Sequence, residues 1–245
     1  MSPALLLSLS VSAYSVEKVT LVAVGSRLKS LYTLEPSIYA KVKTPELTAG
    51  CCPALPDKDW KAPVLDTNPV VPENYKNADV VMLGNLHPLV QTGVLNQMTT
   101  TPKLVVLDTM NFWMDCALPE LLDVIKRVDV ITINDEEARQ LSGEYSLVKA
   151  AAKIQTMGPK YVVIKKGEHG ALIFHNEHIF FAPALPLADV FDPTGAGDTF
   201  AGGFAGFITQ QGDISFETMK TAIIQGSNLA SFCVEKFGTE RMVEL

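Results

Sequence analysis

Several familiar nucleotide signatures are missing from this 245-residue chain. No glycine run ends in Gly-Lys-Ser/Thr, which excludes a Walker A phosphate loop. No Gly-x-Gly-x-x-Gly follows an early strand, which excludes a dinucleotide fingerprint. Cysteine is scarce: Cys51, Cys52, Cys116 and Cys233 fit no zinc template, and adjacent Cys51-Cys52 make a poor disulfide. Reduced thiols and a cytoplasmic location are the expectation. No stretch approaches the roughly 20 apolar residues that a membrane crossing needs. Positive charge is outnumbered, 20 Lys and Arg against 27 Asp and Glu, a net −7. That balance argues against nucleic acid and against a membrane surface as partners.

What is present is an ordinary globular composition, 47% hydrophobic and 19% charged, and long enough for one large α/β domain or two small ones. From about residue 78, strands and helices alternate. Strand runs are expected at 78–83, 104–107, 128–133 and 161–164. A hairpin is expected from 171–174 and 178–181. Helices are expected at 89–98, 118–128, 136–141, 146–157, 199–210 and 215–234. The apolar positions 118, 121, 122, 125 and 128 show the helical period. Such alternation predicts a mostly parallel sheet with helices on both faces, and ligands beyond the carboxyl ends of its strands. Asp108, Asn134, Gly167 and Asp192 all fall at or just after such ends.

Residues 25–77 have a different texture. They are proline-dense from Pro36 to Pro72 and show no sustained period of 2 or 3.6. We therefore divide the chain into a divergent or truncated N-terminal part, 1–77, and a core, 78–245. The opening Met1–Tyr14 run reads either as a short signal peptide or as a buried helix feeding the strand Val19–Val24.

The most informative run is Asp-Pro-Thr-Gly-Ala-Gly-Asp-Thr-Phe-Ala-Gly-Gly, residues 192–203. It follows an apolar stretch with strand character, Leu187–Phe191, and opens a helix. Gly195 and Gly197 permit a sharp turn and leave uncovered amides at a helix N-terminus, where partial positive charge collects. Asp198 places a carboxylate at the same spot. Amides for a developing phosphate charge beside a base for a hydroxyl are the minimum equipment for phosphoryl transfer.

This run closely resembles the C-terminal signature of the PfkB, or ribokinase-like, carbohydrate kinases. The resemblance implies an α/β ribokinase-like fold and transfer of the ATP γ-phosphoryl group to a sugar or nucleoside hydroxyl, with Asp198 as base and the amides of Gly195, Ala196 and Gly197 as an anion hole. Two further motifs follow the family order. Asn134 and Glu137 match its Asn-x-x-Glu, which organises Mg²⁺, phosphate and water; on residue chemistry alone, carboxylates there cap a helix. Gly167 and Gly170 match its strand followed by Gly-x-x-Gly, which lines the nucleotide site. Lys165 and Lys166 depart from the family's commoner Thr-Leu, and Lys165 reads equally as a phosphate contact or a solvated strand end. His169 and His175 read as turn residues, and Trp113 as core or helix cover.

Less specific matches complete the set. Asp108 and Asn111 stand near the family's Asp-x-Asn, here spaced Asp-x-x-Asn, as substrate contacts. Asp192 and Thr194, with carbonyls of the Cys233–Thr239 loop, correspond to a monovalent cation site such as one for K⁺; Gly238 reads as well as a plain helix-end glycine.

The resemblance runs from about residue 70 to the end. The family's early substrate-binding Asp and Gly-Gly have no counterpart, since the first Gly-Gly is Gly202-Gly203. Residues 4–24 resemble the helix and strand that follow that early Gly-Gly, and 25–66 look unlike the family's lid. The phosphate half of a site is then expected without a recognisable sugar half. A catalytically impaired nucleotide-binding remnant, or a purely structural α/β module, are the alternatives. The family's lid strands often pair subunits, so a homodimer is also among the expectations.

Overall fold

The computed structural model describes residues 11–16, 19–24, 70–237 and 240–243. One sheet of eight strands runs in sequence order: β1 (Val11–Val16), β2 (Val19–Val24), β3 (Val80–Leu83), β4 (Leu104–Asp108), β5 (Val130–Asn134), β6 (Tyr161–Lys165), β7 (Ala171–His175) and β8 (His178–Ala182). The pairs from β2 to β6 are parallel; β1 with β2, β6 with β7 and β7 with β8 are antiparallel.

The order itself decides which helices cover which face. From β3 to β6 each parallel strand is laid beside the last in the same direction. Right-handed crossovers then put the connecting helices on one side. These are α1 (Pro88–Asn96), α2 (Asn111–Cys116), α3 (Leu118–Ile125), α4 (Asp135–Ser142) and α5 (Leu147–Gln155). The opposite face is covered by α6 (Ala196–Gln211) and α7 (Phe216–Val234), which follow the hairpin; α8 (Glu240–Val243) ends the described chain.

Strand alternation matches this division, because successive side chains point to opposite faces. Val81, Leu83, Val105, Leu107, Ile131, Ile133, Val162 and Ile164 bury against Val90 and Val94 of α1, Leu121 and Val124 of α3 and Ile154 of α5. Val80, Met82, Leu104, Val106, Val130 and Val163 bury against Phe200, Phe204 and Ile208 of α6 and Met219 and Ile223 of α7. Strands apolar on both faces are what a sheet covered on both sides requires.

Element by element, the alternation read from residue 78 onward is present, with boundaries shifted by a few residues. Three differences stand out. The run Leu187–Phe191 is irregular rather than a strand. Pro183, Pro186 and Pro193 each remove a ladder donor around it, and the Phe191 and Asp192 amides bond to the Val234 carbonyl at the end of α7. Val11–Val16 is a strand, not part of a helix; its two valines and three intervening polar or aromatic side chains disfavour helix and suit an extended chain. The six-residue α2 had no sequence reading, being too short to display a helical period. Residues 25–69 with Cys51 and Cys52, and Gly238, lie outside the described residues.

Candidate functional site

Three adjacent parallel strands end in polar residues on the face that meets α6. Asp108 continues the side of Val106, Thr132 and Asn134 that of Val130, and Lys165 that of Val163. The register sets Asp108 beside Thr132 and Asn134 beside Lys165. Lys165 Nζ donates to Asp108 Oδ1 at 2.7 Å, and Thr132 Oγ1 donates to the same oxygen at 2.6 Å. This ion pair is largely buried, the Asp108 side chain 6% and the Lys165 side chain 17% exposed. Burial alone would lower the lysine's proton affinity. Asp108 outweighs it, helped by Glu137 and Asp198, so the pKa is raised and the ammonium is kept charged. Lys165 is therefore not a solvated strand end.

Asn134 ends β5 and caps α4. Its Oδ1 accepts the Glu137 amide at 2.8 Å, and Glu137 Oε2 accepts the Asn134 amide at 2.7 Å, a reciprocal capping box. The helix-capping reading of this motif is correct as far as it goes. The same bonds fix the buried Glu137 carboxylate at the strand end, where it also accepts from the Asn111 amide. Burial raises the Glu137 pKa; the Asn134 amide and then Lys165 oppose that rise. Asn111 itself is exposed, its side chain accepting from the Phe112 amide at 3.0 Å.

α6 delivers the third component. Its N-cap, Gly195, has φ +87°, a left-handed backbone that favours glycine. The Ala196 amide donates back to the Pro193 carbonyl at 3.2 Å. The amides of Gly197 and Asp198 lie in the first turn, where a helix offers them no internal acceptor. A Cβ on Gly197 would stand 3.1 Å from Lys165 Nζ, so the ammonium reaches the start of α6. Asp198 is half-buried in that turn.

Together these elements wall a cleft of about 870 Å³, the size of a small-molecule site. Asp108, Asn134, Glu137, Lys165, Gly167, Gly170, Gly195, Ala196, Gly197 and Asp198 all line it. The two glycines after β6 differ in role. Gly167, φ +56°, leaves open space where a side chain would stand. A Cβ on Gly170, φ +89°, would stand 2.0 Å from the Ala182 carbonyl, so this glycine admits the neighbouring 182–184 backbone. Asp192, Thr194 and Asn111 are not in the cleft wall. Asp192 Oδ1 accepts the Thr194 amide at 2.9 Å, which lowers its pKa.

Two residues that the sequence reading passed over stand here. Thr132 steadies Asp108; its signal was a hydroxyl two residues before Asn134, on the same side of the strand. Thr109 follows Asp108 directly, is 3% exposed and lines the cleft. Trp113 covers the neighbouring shell, its indole N–H donating to Asn85 Oδ1 at 2.7 Å.

A model of the pfkB family of carbohydrate kinases matches residues 59–244. The chain belongs to the pfkB family. It is 34% identical over 139 residues to the cytidine kinase of Thermococcus kodakarensis, covering 55% of this chain and 49% of that protein. It is 33% identical over 141 residues to a ribokinase of Arabidopsis thaliana, covering 54% of this chain and 36% of that one. The chain thus spans about half or less of the length of these curated relatives. Among solved structures, it is similar to the aminoimidazole riboside kinase of Salmonella enterica in complex with aminoimidazole riboside and an ATP analogue. The TM-score is 0.57 at 22% identity, over 66% of this chain and 58% of that one. The nucleoside kinase of Methanocaldococcus jannaschii gives 0.57 at 21%, over 72% and 55%. At these identities the structural likeness establishes the ribokinase-like fold. No helix among the described residues is long and apolar enough to cross a membrane.

Proposed function

We propose that this chain is an ATP-dependent phosphotransferase, with a sugar or nucleoside alcohol as acceptor. The observation that carries the reading is convergence at one cleft mouth: the α6 amides, the Asp198 carboxylate and the Lys165 ammonium meet Asp108, Asn134 and Glu137. In this reading Asp198 takes the proton of the acceptor hydroxyl as its oxygen attacks the γ-phosphorus, and the bond to the ADP oxygen breaks. The transition state is loose, so positioning and charge matter more than base strength. The Gly195–Asp198 turn holds the transferring group. Gly167 lets the protein backbone approach the nucleotide, Lys165 and Gly170 line the nucleotide's phosphate end, and Thr194 braces the turn.

Mg²⁺ would supply charge neutralisation on the phosphates. Among the described residues, no three His, Cys, Asp or Glu side chains are grouped to hold a metal directly. The buried Glu137 carboxylate, already accepting amides, suits a Mg²⁺ that keeps its waters and takes its remaining ligands from phosphate. Asn134 and Glu137 are assigned to hold it that way. Asp192 is assigned to a monovalent cation such as K⁺. Residues 78–245 are assigned as the nucleotide-binding and catalytic core.

Asp198→Asn tests the assignment. Removal of a general base typically costs on the order of 10²–10⁴-fold in rate, so turnover should fall by about that much while ATP affinity stays nearly unchanged. Undiminished turnover in the variant would sink the role. One rival is a chain that binds nucleotide without transferring phosphate. A panel of sugars and nucleosides separates them: ATP binding with no acceptor-dependent ADP release supports the rival.

A further inference from the structure

Thr109 Oγ1 is a buried hydroxyl with no hydrogen-bond partner among the described residues, and Thr109 lines the cleft. Buried polar atoms are almost always partnered, and an exception inside a cleft points to a ligand. Lys165 lines the same cleft and is the only lysine or arginine among its described lining residues, against the carboxylates of Asp108, Glu137, Glu168 and Asp198. One of the three ammonium donors goes to Asp108, and the ammonium stands at the first turn of α6. A triphosphate entering so acidic a cleft needs positive charge at that point, and the protein supplies it there.

We propose that Thr109 and Lys165 form a second seat for the transferring phosphoryl group, made of side chains and complementing the amide seat of α6. The proposal rests on the kinase reading and adds to it the atoms that tell a nucleoside triphosphate from a diphosphate. The Lys165 ammonium and the Thr109 hydroxyl donate hydrogen bonds to non-bridging oxygens of the γ-phosphoryl group. Both keep their protons. The phosphorus bond to the ADP oxygen breaks, the bond to the acceptor oxygen forms, and the acceptor's proton goes to Asp198. Lys165 also steadies Asp108, so its replacement alone leaves a buried carboxylate unpaired. Thr109 has no such second task.

The test is calorimetric titration of the full chain with ADP and with a non-hydrolysable ATP analogue, both with Mg²⁺. It compares the parent with Thr109→Val, Lys165→Met and the double substitution Asp108→Asn with Lys165→Met, which avoids the unpaired carboxylate. Loss of a hydrogen bond to a charged group corresponds to roughly tenfold in affinity. Each variant should lose about that much for the triphosphate analogue and keep its ADP affinity within about twofold. Thr109→Val should melt at or above the parent temperature in the absence of nucleotide, because no hydrogen bond to the described residues is removed. Equal losses for both nucleotides would overturn the seat. So would unchanged affinities, the result if water alone satisfies Thr109, or a lowered melting point of Thr109→Val. A parent chain that binds neither nucleotide would instead overturn the kinase reading, and the seat with it.

Discussion

Gly170 carries the sharpest steric constraint among the cleft glycines. A methyl group there would come within 2.0 Å of the Ala182 carbonyl and 2.8 Å of the Ala184 amide nitrogen, both backbone atoms that cannot swing aside. Its φ of +89° adds strain for any L side chain. Gly170→Ala should therefore destabilise by about 3 kcal/mol or more, read as a lowered midpoint in urea denaturation. Gly197 has a different neighbour, the ammonium end of Lys165 at 3.1 Å. In the sequence both look like glycines of a phosphate-binding family. Only the neighbouring chain distinguishes one that seats backbone from one that seats an ammonium. Lys165 is the converse case: 57 residues separate it from Asp108, so nothing local to its strand discloses the pair.

At the scale of an element, α4 shows one pair of residues with two tasks. The reciprocal Asn134–Glu137 bonds start the helix and also hold a carboxylate at the end of β5. Burial raises the Glu137 pKa above its ordinary 4.5, so the folded chain holds that proton more tightly than the unfolded chain. The sign follows. Below about pH 4.5 both states are protonated and the carboxyl costs nothing; as pH rises through and above that range, ionisation takes stability away. Glu137→Gln retains an oxygen to accept the Asn134 amide but has no charge to bury. Its melting temperature relative to the parent should rise between about pH 4 and pH 7 in the absence of nucleotide and metal. A gap that does not change with pH would contradict this. The capping motif was legible because it depends on a spacing of three within one turn. The misread elements lacked such local determination. Leu187–Phe191 has strand composition but lies between prolines and bonds to the end of α7. Val11–Val16 finds its partner in β2 through a register that composition does not encode.

For the whole molecule, stability and site share one support. α6 covers one face of the parallel strands and presents its first turn to their carboxyl ends. Phe204, two turns along, is fully buried between sheet and α7. Phe204→Ala should cost about 3–5 kcal/mol, visible in thermal melts, and should also weaken nucleotide binding, because the helix that bears Asp198 loses its anchorage. A variant with lowered stability but unchanged nucleotide affinity below its melting transition would show that the first turn is held independently of the core.

Legible along the chain alone are the alternation of strands and helices from residue 78, the polar residues at the strand ends and the Asp192–Gly203 run with its base and amides. These are local: a period of 2 or 3.6, a capping spacing, and glycines where backbone must turn or come close. Tertiary structure decided which of those residues meet. The ladder register set Asp108, Thr132, Asn134 and Lys165 side by side, and the return of α6 across the opposite face brought Asp198 to them. That meeting left the Thr109 hydroxyl without a partner among the described residues and made Lys165 a buried cation among carboxylates. The physical reason is that side-chain neighbours in a parallel sheet are fixed by hydrogen bonds between strands more than twenty residues apart, which no pattern within a single strand can specify.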